Sequence, residues 1–277
     1  MRGPGILART MSVASRRGKS DRTWQYHSRS DHHSKVACWA VLLDMMIECD
    51  AFREAAAHGL LGFALNRVVV APINKTLDLV ITRGSGDVAR NAPTQDFAGV
   101  GGALGVVLDD DCARVLARLP ILKLDDAADA REVAVALEAK ACMTEHIKSL
   151  PRLHAEILAT GYLTKRGWPH AITVSYSLVN TAATFVTPSG NGRVNRHRQP
   201  EDARRVVEMI DRAVPTLNET RDFGYDVVGV TAVECRNDGS TVELADSSDI
   251  GLGQLSRLKY EHMIRALCSQ FRARFGR

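Results

Sequence analysis

Glu138 and Lys140 stand two residues apart inside the largely apolar run Glu132-Val-Ala-Val-Ala-Leu-Glu-Ala-Lys140. Side chains alternate across a β-strand, so the two share one face of it. A carboxylate and an ammonium set among Val135, Ala136, Leu137 and Ala139 are poorly explained by packing. A second carboxylate, Asp78, lies near the beginning of another β-run, Thr76-Leu-Asp-Leu-Val-Ile-Thr-Arg83. If the two runs are neighbours in one sheet, two carboxylates and an ammonium converge. With a backbone carbonyl, such carboxylates make a hard oxygen site suited to Mg2+, completed by waters and a substrate phosphate. Lys140 then holds or helps to deprotonate a metal-activated water for attack on phosphorus. The metal also screens the charge that forms on the leaving oxygen. The plainer alternatives are a surface ion pair on an edge strand for Glu138 and Lys140, and a strand-end turn residue for Asp78. The strand context of all three favours the site.

Other residue types carry less. His32-His33 fits a helix start beside a basic segment better than a metal site. His146 and His154 fall on the helix after Lys140, where they either contact phosphate or stand as partly exposed helix residues. The glycines at 84–86 and 99–105 lack the G-x-x-x-x-G-K-S/T pattern of a nucleotide-binding loop. Ser85 and Ser189 lack a nucleophile elbow or triad order. The six cysteines are scattered without a C-x-x-C pair, which supports neither a zinc site nor a disulfide framework.

The elements that must position these groups follow from periodicity. Val36, Trp39, Ala40, Leu43, Met46 and Ile47 recur at helical spacing and predict a helix over residues 30–49, with Asp44 and Glu48 on another face. A short helix over 51–58 ends at Gly59. Strands are predicted at 67–71, stopped by Pro72, at 76–83, and centrally at 132–140. Residues 84–104 read as a long loop and 109–119 as a small inserted helix. Beyond Lys140, a helix is expected over 144–160, a strand or hairpin over 171–187 and a helix over 202–214. A hairpin around Asn237-Asp238-Gly239 and a closing helix with Tyr260, Ile264, Leu267 and Phe271 inward complete the chain. The order predicts one α/β domain with a central mixed sheet flanked by helices, spanning 30–277, with an inserted segment at 84–130.

With 277 residues, 45% of them hydrophobic and 25% charged, the chain has the composition of an ordinary soluble domain large enough for a sizeable core. No apolar run approaches the ~20 residues of a membrane span, so the cytoplasm is the default compartment. Residues 1–35 hold eight Lys/Arg against Asp21 and Asp31 and supply the whole net charge of +4. Residues 1–29 are therefore expected to form a flexible basic arm. From residue 157 to 200 no carboxylate occurs, while Lys165, Arg166, Arg193, Arg196 and Arg198 are present. A polyanion there meets donors and no repulsion, although a solvated basic loop explains the charge equally well.

The stretch Thr76-Leu-Asp-Leu-Val-Ile followed by Val135-Ala-Leu-Glu-Ala-Lys140 resembles the PD-(D/E)XK nuclease superfamily, in its restriction-endonuclease-like branch. The resemblance covers residues 30–244 and implies a leading helix, a central sheet carrying the acid and the D/E-x-K, then a helix and further strands. It implies Asp78, Glu138 and Lys140 as catalytic residues, with Asp78 and Glu138 as metal ligands. Asp44 or Glu48, preferably Glu48, would supply the additional carboxylate found in some members. Leu77 stands where Pro is expected, and the interval from Asp78 to Glu138 is long. Asp109, Asp110, Asp111, Asp125 and Asp126 are closer to Glu138, but Asp78 alone sits in a convincing β-run. The absence of a Gln-x-x-x-Tyr motif after the lysine separates the chain from recombination-type exonucleases. The resemblance therefore implies a Mg2+-dependent DNA endonuclease, with Mn2+ as substitute, leaving a 5′-phosphate and a 3′-hydroxyl. Lys165, Arg166, Arg193, Arg196 and Arg198, with Asn191 and Asn195, would contact DNA, and a homodimer would cut both strands. The rival expectations are a nucleic-acid-binding module on the same fold without a working metal site, and a small-molecule hydrolase using the Gly-rich loop.

Overall fold

The β-runs around Asp78 and Glu138 become neighbouring strands. The computed structural model describes residues 1–13, 16–17, 23–69, 75–84, 95–124, 132–188, 192–214 and 224–276. The first elements are α1 (Gly3–Ser12), β1 (Arg16–Arg17), β2 (Thr23–Trp24), α2 (His32–Glu48), α3 (Asp50–Ala57), β3 (Leu61–Val69) and β4 (Lys75–Arg83). Next come α4 (Phe97–Ala103), α5 (Asp110–Leu116), β5 (Lys123–Leu124), β6 (Glu132–Cys142), α6 (His146–Gly167) and β7 (Ile172–Asn180). The chain continues through β8 (Thr184–Val186), β9 (Val194–Arg196), α7 (Glu201–Ala213), β10 (Val227–Glu234), β11 (Glu243–Leu244) and α8 (Tyr260–Phe275).

Among the described residues, seven strands form one mixed sheet in the order β11-β10-β7-β6-β4-β3-β5. β3, β4 and β6 are successively antiparallel, whereas β6, β7 and β10 are parallel. Parallel neighbours need a crossover, and the helices α6 and α7 provide the two. Strands covered on both faces read as nearly continuous apolar runs, as β6 does. Val174, Tyr176 and Leu178 join a core shared with α1, α2 and α8. Val179, Val228, Val230 and Ala232 pack on the other face with residues of α6 and α7.

The helix expected over 30–49 is present, but it is buried almost all round rather than along one stripe. A helix apolar on every side belongs inside a layer, and α2 lies against the sheet with α1 and α8 packed on it. Trp39 donates from Nε1 to the carbonyl of Phe97 at 2.8 Å, and the two rings stack at 4.5 Å. Residues 97–103, the later part of the segment read as a loop, thereby fold onto α2 as the helix α4, while 85–94 lie outside the described residues.

The flexible arm expected over residues 1–29 is corrected at its beginning. Residues 3–12 are helical, and Ile6, Leu7, Ala8 and Met11 are buried in the main core. A helix of this length does not hold on propensity alone. Asp44 of α2 caps it, accepting from the backbone N–H of Arg2 at 2.8 Å and of Gly3 at 2.8 Å. A Cβ on Gly3 would stand 2.2 Å from the Tyr260 hydroxyl, so the approach of α1 to α8 requires glycine. The cysteine reading is corrected as well: Cys49 and Cys268 form a disulfide joining the end of α2 to α8, with a Cα–Cα distance of 5.4 Å. Cys38, Cys112, Cys142 and Cys235 are free and buried. Among the described residues no helix is long and apolar enough to cross a membrane.

Candidate functional site

The strands β6, β7 and β10 run out at the sheet edge where β4 begins. Leu79 pairs with Leu137 and Val80 with Ala136, so by alternation Asp78 and Glu138 follow on the same face as Val80 and Ala136. The backbone N–H of Ala139, between Glu138 and Lys140, donates to Asp78 Oδ2 at 2.8 Å. On the other side of β4, Asn66 stands opposite Asp78 with a positive φ of 50°, between the pairs Leu65–Leu79 and Arg67–Leu77. The three residues singled out by type and spacing are therefore brought together.

Glu138 is 5% exposed. Its Oε1 receives Lys140 Nζ at 2.6 Å and Lys75 Nζ at 3.2 Å. Its Oε2 is buried and has no hydrogen-bond partner among the described residues. Lys140 also reaches Glu156 Oε2 on α6 at 3.4 Å. Burial pulls the Lys140 pKa down, but the charge and hydrogen bond of Glu138, with Glu156 and Asp78, outweigh it and hold the pKa above the ordinary lysine value. Lys140 is thus a firm ammonium, a donor of charge and hydrogen bonds more than a base. Asp78 moves the other way. Desolvation and then the charge of Glu138 raise its carboxyl pKa, against the Ala139 amide, the Ser34 hydroxyl and Lys140.

Among the described residues no group of three or more His, Cys, Asp and Glu side chains is placed to hold a metal ion. The protein donors at this edge are the two carboxylates. Their hard oxygens, one of them buried and unpartnered, fit a cation that keeps waters and takes a substrate phosphate, as Mg2+ does. Glu48 does not join them. Ser34, at the other end of the same 17-residue helix, is the residue beside Asp78. At a rise of about 1.5 Å per residue, Glu48 is roughly 20 Å further along, where it lines a shallow cavity with Met1, Ile264 and Arg272. Asp44 is spent on α1. Asp109 caps α5, and Asp111 pairs with Arg2. Asp125, Asp126, Ser85, Ser189 and Asn191 lie outside the described residues.

The cations divide. Lys165 is turned inward: its Nζ forms an ion pair with Asp226, its side chain is 10% exposed, and it donates to the Ala171 carbonyl at 3.1 Å. Arg274 closes the other side of Asp226 at 2.9 Å. This cluster sits on Thr173, at the start of β7, while Lys140 pairs in register with Ser177 further along. Burial penalises the Lys165 charge and takes its pKa below the ordinary value, with Asp226 opposing. Arg166 is exposed beside Lys165, at 3.1 Å from the Tyr162 hydroxyl, and so lies at the far end of α6. Arg193, Arg196 and Arg198 are exposed on and after the β8–β9 hairpin. Asn195 anchors that hairpin to Thr144, just beyond β6, with a 2.8 Å hydrogen bond. These three arginines therefore belong to a hairpin held beyond the carboxyl end of β6, the strand that carries Glu138.

His146 is spoken for. It is 1% exposed, bonds the Asn180 carbonyl at 2.7 Å and meets the His197 ring at 4.6 Å. Burial, then the charge of His197, lowers its pKa to about 4. His32 reaches the Leu104 carbonyl at 2.7 Å, and His33 packs on Tyr26.

Lys75, Ser34 and Glu156 escaped the sequence reading. Glu156 had a signal: it lies on the helical face of Leu153, Ile157 and Thr160, all buried, where a carboxylate calls for a partner. Lys75 had none, since its partner is remote in the chain. The chain matches no family model, no curated protein and no solved structure, which leaves the geometry of this edge to carry the functional reading.

Proposed function

We propose that the chain is a divalent-metal-dependent nuclease hydrolysing DNA phosphodiester bonds, with an architecture of the restriction-endonuclease-like kind. The observation that carries this reading is the Ala139–Asp78 hydrogen bond, which fixes one carboxylate against the middle of Glu-x-Lys while Glu138 keeps a buried oxygen unused. The order helix α2, antiparallel β3, β4 and β6, helix α6, parallel β7 supports it. So does the placing of Glu138 and Lys140 in the carboxyl-terminal half of β6, toward the end of the sheet where open α/β sheets bind ligands.

In this reading Asp78 and Glu138 hold Mg2+, or Mn2+ in its place. The ion supplies Lewis-acid polarisation of the scissile phosphate. Lys140, kept protonated by Glu138 and Glu156, orients the attacking water and offsets charge on the phosphoryl oxygens. Arg193, Arg196 and Arg198 grip the backbone from the hairpin. A two-fold dimer would place two such edges on the two strands of a duplex. The test is cleavage of plasmid, phage, single-stranded and methylated DNA with Mg2+ or EDTA, wild type beside Lys140→Ala. Metal-dependent cutting that the substitution removes is expected.

A second reading is a nucleic-acid-binding module without catalysis. It draws on the two ammoniums that already neutralise Glu138 and on the two-carboxylate donor set. It requires DNA affinity that persists in EDTA and in Glu138→Ala, with no cutting by the wild type.

A further inference from the structure

We infer that Lys75 is an electrostatic gate on the metal site, its ammonium on Glu138 Oε1 holding a positive charge that an entering divalent cation must displace. This inference rests on the metal-dependent reading above. Asp78, Glu138 and Glu156 carry three negative charges, and Lys75, Lys140 and Arg152, which pairs with Glu156 at 3.6 Å, carry three positive ones. The edge is therefore balanced before any ion arrives. A dication entering a balanced, half-dry site adds two uncompensated charges, which Coulomb repulsion at a few ångströms opposes.

One ammonium must withdraw, and the geometry selects which. Lys140 is held at 2.6 Å by Glu138 and also by Glu156 at 3.4 Å, and its side chain is 21% exposed. Lys75 is held at 3.2 Å by Glu138, is 29% exposed and has no second carboxylate among the described residues. Lys75 also stands at the first position of β4, so it swings outward without disturbing the ladder. When it leaves, Oε1 keeps Lys140 alone, and the unpartnered Oε2 faces one positive charge fewer. Lys140 stays in place for substrate.

The experiment is titration calorimetry of MnCl2 into the wild type, Lys75→Met, Lys75→Gln, Lys75→Arg and Glu138→Gln, without DNA. Circular dichroism checks each fold. Loss of the competing charge in Lys75→Met and Lys75→Gln is expected to tighten Mn2+ binding by about tenfold. Lys75→Arg, which keeps the charge, is expected to bind as the wild type does, and Glu138→Gln to lose the binding. If both neutral variants bind Mn2+ no more tightly than the wild type while Glu138→Gln still abolishes it, the gate is overturned and the metal site stands. If neither the wild type nor the neutral variants take up Mn2+, the metal reading falls and the gate with it.

Discussion

Lys140 Nζ lies 2.6 Å from Glu138 Oε1, two residues back on the same strand and the same face. The pair is half of a longer chain of charges, Lys75–Glu138–Lys140–Glu156, which ties β4 to β6 and β6 to α6. Its consequences are open to measurement.

Replacing Lys140 by Ala removes the ammonium, held by Glu138 and Glu156, that the proposed mechanism sets on the attacking water. A fall of about 10²–10³-fold in the cleavage rate is expected, the scale for losing one transition-state donor. Lys75 still covers Glu138, so folding persists and the melting temperature drops only modestly. Single-turnover cleavage beside a thermal melt separates the two effects. Equal rates for variant and wild type would remove Lys140 from the mechanism.

Asp78 has a pKa raised in the folded protein by burial and by Glu138. A carboxyl raised on folding stabilises the protein in its protonated form, below the unfolded pKa. That contribution is lost as pH rises through the folded pKa, because ionisation then costs more in the fold than in the unfolded chain. Asp78→Asn keeps an acceptor for the Ala139 amide and never ionises. Its melting temperature at pH 7 is expected to exceed that of the wild type, with the gap closing in acid. A melt series across pH reads this directly, and a variant less stable at neutral pH contradicts it.

His146 titrates in the opposite sense. Its pKa, lowered to about 4 by burial and by His197, lies beneath the unfolded value of about 6.5. A depressed base contributes stability above the unfolded pKa, and that stability is lost as pH falls toward the folded pKa. The full loss is about 3 kcal/mol between pH 6.5 and 4. Urea unfolding at pH 7 and pH 4.5, wild type against His146→Gln, is expected to show a smaller acid loss in the variant.

The arginines of the β8–β9 hairpin and Lys165 separate binding from folding. Substituting Arg193, Arg196 and Arg198 together by Ala is expected to weaken DNA binding and flatten its dependence on log salt by about 0.9 for each phosphate no longer neutralised. Lys165→Met is expected to leave that slope unchanged. It uncovers one side of the buried Asp226 carboxylate, which costs about 3 kcal/mol of stability. Filter binding at several salt concentrations, together with urea melts, distinguishes the two. A changed slope in Lys165→Met would return that residue to the interface.

The disulfide Cys49–Cys268 closes a loop across a sequence separation of 219. Reduction, or Cys49→Ser, is expected to lower stability by about 2–4 kcal/mol. Since it lies at the far end of α2 from Ser34, metal binding should be unaffected. Melts with and without reductant, paired with Mn2+ titration, test both halves of the statement.

The parts legible in the sequence were those fixed by local period. Leu77, Leu79 and Ile81 alternate with Asp78 and Val80, so β4 and the face of Asp78 follow from spacing. Glu138 and Lys140 had to share a face for the same reason. The position of α2 and the turn at Asn237-Asp238-Gly239 were equally local, although α2 proved buried almost all round and not along one stripe. What escaped was set by distant partners. The helix α1 is held by Asp44 and Tyr260, and α4 by Trp39; neither signal lies within a few residues of the helix it holds. The charge of Lys165 suggested an outward cation, but its fate was decided by Asp226 on a strand far downstream. Glu48 matched a pattern of residue type, and helix length alone moved it out of reach.

The setting of α2 bears on how the chain is made. Phe52, just after α2, meets Phe271 of α8 at 5.0 Å, and Tyr260 of α8 donates to the Ala40 carbonyl at 3.5 Å. The ribosome emits α2 long before α8, so the most apolar helix must wait for its cover until synthesis has passed residue 271. Until then the part of α2 that α8 covers, near Ala40 and Cys49, is open to water and to other nascent chains. A chain stalled before α8 would therefore keep a sticky face exposed, and chaperone occupancy on translating ribosomes should be highest over that interval.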